Sequence, residues 1–169
     1  PYGAVFAMLA YEEYFKATGK EKYGKEAVQL FWKIREWIED PTKLDRPAME
    51  GQPPMSNLAN VMVLASMAIE LTAVDRNPVY VKIMEDALRE CRNHVHPELG
   101  ILMENVPVDP AMDISRWPEG RLFNPGHSIE VAWFILHILK FVPDGEMEKL
   151  ALNALEQSLE FGWDQKYGG

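Results

Sequence analysis

The chain has 169 residues, of which 47% are hydrophobic and 25% charged, an ordinary composition for one globular domain. Its formal net charge of −9 argues against nucleic acid or an anionic membrane as a partner, because both need a basic surface. The single cysteine excludes an internal disulfide, and with no signal-peptide pattern and no long apolar run the chain is expected to be soluble and cytoplasmic.

The spacing of apolar residues predicts six helices, and the fold class is therefore all-α. The predicted helices cover 2–17, 20–39, 55–73, 78–95, 125–141 and 144–161. Between the fourth and the fifth, residues 100–106 have the pattern of a short extended segment. The segment from 100 to 123 is long for a loop inside a compact domain, and such loops often carry function.

The predicted helices are of two alternating kinds. The first, third and fifth are apolar on nearly every side, so neighbours must cover them, whereas the second, fourth and sixth each carry one apolar stripe. The stripes are Tyr23, Ala27, Phe31, Ile34 and Ile38; Tyr80, Met84, Ala87, Leu88 and Cys91; and Met147, Ala151, Leu155 and Leu159. Inner and outer helices repeated three times predict half of an (α/α)6 barrel, or toroid, built from three helical hairpins.

Prolines precede or open each inner helix, at Pro1, Pro53 and Pro125, as is favoured at a first helical position. Parallel inner helices would bring these three openings to one end of the ring. Half a ring leaves apolar seams uncovered, so we expect residues 1–169 to be the central part of a single longer barrel domain.

The fifth helix begins with a histidine and a carboxylate. Asn124 is a good N-cap and Pro125 a good first residue, which places His127 in the first turn, where the helix dipole favours a neutral imidazole. Glu130 follows three residues later on nearly the same face and could orient the ring or bind a hydroxyl. A neutral imidazole is a general base, although a purely structural capping or core histidine is an equally open interpretation here.

The other candidates are less specific. We expect Glu104 and Arg121 of the long loop to lie near His127, with an ordinary solvated loop as the alternative. His137 is expected to be packed within its helix, and His94 to be a protonated histidine at a helix end. Trp133 is expected to lie in the core, with a sugar-stacking face as the alternative. No metal site is expected, because the His94-x-His96 pair has no obvious third ligand.

The segment from Arg121 to Phe134 resembles the signature of the N-acylglucosamine 2-epimerases, also called renin-binding proteins. The resemblance implies an (α/α)6 barrel that interconverts N-acetylglucosamine and N-acetylmannosamine, with His127 as one of two general acid/bases and Glu130 beside it. It also places a second catalytic histidine and an arginine outside this chain. The 169 residues alone are therefore expected to be inactive.

Related enzymes of the same fold keep the substrate open. Cellobiose 2-epimerases and aldose–ketose isomerases share the His-x-x-Glu pattern, but Asn124 and Pro125 are more similar to the N-acyl sugar branch. Asn60 and Met62 lie where the disaccharide enzymes tend to carry a histidine beside a methionine, and they are candidate substrate-binding residues. The resemblance implies a homodimer with no required cofactor, and a nucleotide effector such as ATP for some members.

Two other classes are weighed against this one. A glycoside hydrolase on the same toroid would need two flanking carboxylates, for which Glu104 and Glu130 are candidates. A non-catalytic helical-repeat module would bind through exposed helical faces, whereas the informative residues here gather at one end of the inner helices.

Overall fold

The computed structural model describes residues 2–44 and 50–169, and its architecture is almost entirely helical. The helices are α1 Tyr2–Thr18, α2 Glu21–Glu39, α3 Leu58–Leu71, α4 Val79–Asn93, α5 Pro125–Ile138 and α6 Gly145–Gly162. Consecutive helices pack as three hairpins, α1 with α2, α3 with α4 and α5 with α6. The all-α prediction is confirmed, and no helix of the described residues is long and apolar enough to cross a bilayer.

The inner and outer layers follow the apolar patterns. Helix α3 packs against both α1 and α5, so these three form the inner layer. On α4 the entire predicted stripe from Tyr80 to Cys91 is buried, which removes its apolar surface from water. On α6 the stripe is partly wrong, since Leu159 is 48% exposed while Ala154 and Ser158 are buried instead.

Two short strands correct the predicted start of α3. Strand β1 (Met55–Asn57) pairs antiparallel with β2 (Asn105–Pro107), and α3 therefore begins three residues later than predicted. The cap of α3 is Asn57, whose side chain accepts from the Asn60 N–H at 3.3 Å, so Pro53 does not open this helix. Pro125 does open α5, as predicted, and Pro1 lies outside the described residues.

The inner helices are not equally covered. Phe6 on α1 is 72% exposed and Trp133 on α5 is 49% exposed, so neither apolar helix is covered on all sides by the described residues, as expected for the uncovered seams of half a ring. Trp133 is not a core residue. Its ring packs against that of His137 at a tilt of 48°, with centroids 4.4 Å apart, which is the packed role predicted for His137. The exposed residues lie on the first and last inner helices, at the two open edges of a partial ring.

Candidate active site

The start of α5 presents His127 as the sequence predicts. Asn124 caps the helix by accepting the backbone N–H of His127 at 3.3 Å, and Pro125 occupies the first turn. The capping amide satisfies one of the N–H groups that a helix leaves unpaired at its start. The cap thereby fixes the backbone from which the imidazole projects.

The ring of His127 is oriented by Glu104. Its Nδ1 lies 2.8 Å from Oε2 of Glu104, a carboxylate that is almost fully buried, while the His127 side chain stays 36% exposed. Asn57 holds the other carboxylate oxygen with a long bond, Nδ2 to Oε1 at 3.4 Å, and donates to Oδ1 of Asn105 at 2.9 Å. The site therefore joins the start of α5, the residue preceding β2 and the end of β1.

This geometry fixes the tautomer of the imidazole. A carboxylate only accepts, so Nδ1 of His127 carries the hydrogen, and Nε2 of a neutral ring keeps its lone pair. No hydrogen bond to Nε2 is found within residues 2–44 and 50–169. The Glu104 charge stabilises the positive ring that forms when Nε2 takes a proton, which is the arrangement of a general base.

His127 opens onto a cavity of about 420 Å³. The cavity is lined by residues of the three inner helices, mostly from their first halves, and of the segments next to them. These residues are Tyr2, Val5, Phe6, Leu9, Asn57, Ala59, Met62, Val63, Ser66, Glu104, His127, Glu130 and Phe134. The predicted convergence of the helix starts at one end is confirmed, and the mixture of apolar walls with a few polar groups is typical of a small-ligand site.

Most of the predicted site residues lie at or beside the cavity, and only Arg121 lies elsewhere. Glu104, Glu130 and Met62 line the cavity together with His127. Glu130 is exposed and takes no part in the hydrogen bond to Nδ1, so the orienting carboxylate is Glu104. Asn60 lies at the edge, where its Oδ1 accepts a long 3.5 Å bond from the Tyr2 hydroxyl.

The placement of Arg121 beside His127 is wrong. Its guanidinium donates to the Ser115 carbonyl at 3.2 Å, and with Phe123 it lines a different cavity. Arg121 is the last residue of a short 3-10 helix, Glu119–Arg121, and the carbonyl of the next residue, Leu122, accepts the Glu104 N–H at 3.0 Å. The backbone therefore passes close to Glu104, but the Arg121 side chain is bound to the Ser115 carbonyl.

Tyr2, Phe6 and Asn57 are among the site residues that the sequence does not single out. Tyr2 and Phe6 line the cavity, but on an apolar helix they have the pattern of ordinary core residues. Asn57 falls inside the predicted helix 55–73, although an Asn before an apolar run is a recognisable N-cap signal.

Comparison with known proteins gives one consistent result. The family model described as N-acylglucosamine 2-epimerase (GlcNAc 2-epimerase) matches residues 1–169. The N-acylglucosamine 2-epimerase of Mus musculus is 30% identical over 173 residues, which covers 97% of this chain and 40% of the mouse protein. The Homo sapiens enzyme of that name is 29% identical over 168 residues and is covered to 39%. The chain thus spans about 40% of the length of these relatives.

Among solved structures, a crystal structure of D-mannose isomerase superposes with a TM-score of 0.73 at 17% identity. The match covers 99% of this chain and 46% of the isomerase. At 17% identity this structural similarity supports the fold alone, and it agrees with the three helical hairpins of an α/α toroid.

Proposed function

Since the chain belongs to the N-acylglucosamine 2-epimerase family, we propose that the protein containing it is a sugar 2-epimerase that interconverts N-acetylglucosamine and N-acetylmannosamine. The members of this family are carbohydrate epimerases and isomerases. The observation that carries the proposal is the 2.8 Å bond between His127 Nδ1 and Glu104, which leaves Nε2 available as a base beside a cavity.

The proposed reaction is a proton transfer at C2 of the open-chain sugar. Nε2 of His127 takes the C2 proton, and the electrons of the broken C–H bond form a C1–C2 double bond as the aldehyde oxygen becomes negative. Glu104 stabilises the imidazolium during this step. Return of a proton to the opposite face of C2 restores the aldehyde with inverted configuration.

The second acid/base and the arginine expected from the family resemblance are outside this chain. We therefore propose that residues 1–169 alone do not catalyse net epimerisation. One imidazole can remove and return a proton on only one face of C2, whereas inversion needs a second group on the opposite face. The chemistry is redox-neutral, so the proposal includes no required cofactor. Net conversion of the sugar by the isolated 169-residue chain would contradict this part of the proposal.

An aldose–ketose isomerase is the second candidate, because the family contains isomerases as well as epimerases. The first step is the same, and the reactions differ in returning the proton to C1 instead of C2. A glycoside hydrolase is disfavoured because both oxygens of Glu104 already bind an imidazole and an amide, so this carboxyl is not free to face a glycosidic oxygen.

The test is substitution of His127 by Gln in the full-length protein, with His137→Gln on the same helix as the matched control. In D2O, nuclear magnetic resonance follows deuterium incorporation at C2 of N-acetylmannosamine and formation of N-acetylglucosamine, and D-mannose is tested for conversion to a ketose. Loss of a general base should lower kcat roughly 100- to 10,000-fold in the His127 variant only. Equal rates in the two folded variants would reject the proposed role of His127.

A further inference from the structure

His94 is a buried histidine whose two ring nitrogens are both engaged. It is the C-cap residue of α4 and is fully buried, and it does not line the cavity of His127. Nδ1 lies 2.7 Å from the carbonyl oxygen of Met103, and Nε2 lies 3.2 Å from Oγ of Ser56. Because a carbonyl only accepts, Nδ1 carries the hydrogen and Nε2 accepts from the Ser56 hydroxyl.

The two partners of His94 each precede a residue of the site. Met103 is followed by Glu104, which orients His127, and Ser56 is followed by Asn57, which holds the other oxygen of Glu104. A backbone hydrogen bond also links His94 to Met103, since the Met103 N–H donates to the His94 carbonyl at 2.8 Å. One imidazole therefore ties together the two segments whose side chains meet at His127.

The surroundings favour the neutral ring that these bonds require. Burial lowers the pKa of His94 below its usual value, although the bond to the Met103 carbonyl and the nearby Glu90 and Glu104 favour the charged form. Oε1 of Glu90 lies 3.7 Å from Nε2. The expectation of a protonated histidine at a helix end is therefore wrong, because His94 is enclosed by the loop that folds over it.

We propose that His94 is a positioning residue for His127, acting through Met103 and Ser56 to hold the Glu104 carboxylate against Nδ1. The kinetic part of this inference rests on the proposed epimerisation. A rigid ring with a donor and an acceptor on opposite edges fixes two chain segments at once, and no apolar side chain of similar volume does so. Correct orientation of the base then depends on a residue that touches neither substrate nor base.

The first test replaces His94 with Leu, Asn or Gln in the full-length protein, with Cys91→Ala as the matched control. Cys91 is also buried, one turn earlier on α4, so its truncation loosens the same region without touching the two ring contacts. We expect His94→Leu to lower kcat roughly 10- to 100-fold with little change in KM, since the cavity lining is intact. Asn, which keeps a donor near the Nδ1 position, should recover part of the loss.

The second measurement does not depend on turnover. In protein with 15N-labelled histidine, the proton on Nδ1 of His127 should give a slowly exchanging signal that weakens in His94→Leu and persists in Cys91→Ala. If the leucine variant does not fold, the Asn and Gln variants decide, because each keeps at most one of the two bonds. Wild-type kcat and an unchanged Nδ1 signal in the folded His94 variants would overturn the inference.

The two proposals fail differently. An inactive wild-type protein would reject the epimerisation, and the His127 signal alone would then decide whether His94 positions the ring. An active wild-type protein with unaffected His94 variants would reject only the positioning role.

Discussion

The two ends of the inner helices each bury a carboxylate, but they pair it with different nitrogen partners, an imidazole at one end and an ammonium at the other. At the start of the helices, Glu104 binds the imidazole of His127. At the far end, roughly 20 Å along α3, the Glu12 carboxylate is fully buried and lies 2.9 Å from the ammonium of Lys16. The same ammonium lies 2.6 Å from Glu13 and 3.0 Å from Glu70.

The partner decides what each buried carboxylate can do. Burial alone would lower the pKa of the Lys16 ammonium, but hydrogen bonds to Glu13, Glu12 and Glu70 outweigh it and hold that pKa above its usual value. This lysine therefore keeps its proton at neutral pH. The three carboxylates lie within 4.8 Å of one another, a spacing that suits a metal ion, yet the ammonium already binds all three.

An imidazole behaves differently from an ammonium because its usual pKa lies close to neutral pH. The Glu104 end of the molecule is therefore suited to proton transfer and the Glu12 end to holding α1 against α3. Substitutions that remove a charge but keep the size of the side chain test whether the two ends have these different roles.

Among substitutions of the charged partners at the two ends, the largest effect is expected for Glu104→Gln. The amide keeps the size of the side chain but removes the charge that stabilises the imidazolium. We expect kcat/KM of the full-length protein to fall about 100-fold, or about 2.7 kcal/mol in transition-state free energy, with the thermal midpoint little changed.

The matched control is Glu98→Gln, on an exposed turn that does not line the cavity. Steady-state kinetics of both variants, on the same sugar used for His127→Gln, give the comparison. If the two variants have the same kcat/KM, Glu104 does not assist the base, and the proposed role of the Glu104 end in proton transfer is rejected.

An intermediate effect is expected for Lys16→Met. The substitution keeps the aliphatic stem but leaves three carboxylates together, one of them fully buried. Breaking a buried pair costs about 3–5 kcal/mol, and partial exposure of Lys16 reduces the expected loss of unfolding free energy to about 2 kcal/mol at neutral pH. Urea unfolding of the variant and of the exposed-lysine control Lys25→Met measures this difference, and equal midpoints would reject the stabilising role of Lys16.

Helical periodicity was enough to predict the layers of the fold. The stripe of α4 and the cap at Asn124 follow from local spacing and local hydrogen bonding, and both are confirmed. The extended segment predicted at 100–106 overlaps β2 only at its end, and β1 and the pairing of the two strands could not be predicted, because three residues in a strand show no usable period. Trp133 was expected in the core because the apolar pattern of α5 does not reveal which of its faces lies at an open edge.

The candidate site was only partly predictable because its contacts are distant in sequence. The Glu104–His127 pair spans 23 residues and the Lys16–Glu70 pair 54, so no local pattern encodes either. His127 itself was found, since its cap is local. Arg121 was misplaced because the direction of a loop side chain depends on hydrogen bonds that composition does not specify.

The smallest effect is expected for Glu12→Gln, and its sign is the sharpest test of the comparison. Burial raises the pKa of the Glu12 carboxyl above its ordinary value of 4.5, against the attraction of Lys16, and Oε2 has no hydrogen-bond donor among the residues described. The folded state then binds a proton more tightly than the unfolded state, so the charged form of Glu12 lowers stability at neutral pH. The neutral amide should therefore raise the unfolding free energy by up to about 1 kcal/mol at pH 7.

That gain should shrink as the pH is lowered toward 4.5, because wild-type Glu12 takes up a proton in the folded protein over this range. Urea unfolding of both proteins between pH 7 and pH 4.5 measures the gap. A variant less stable than wild type at pH 7 would mean that the attraction of Lys16 exceeds the cost of burial. The Glu12 end would then resemble the Glu104 end, with a buried carboxylate whose charge is favourable in the folded protein.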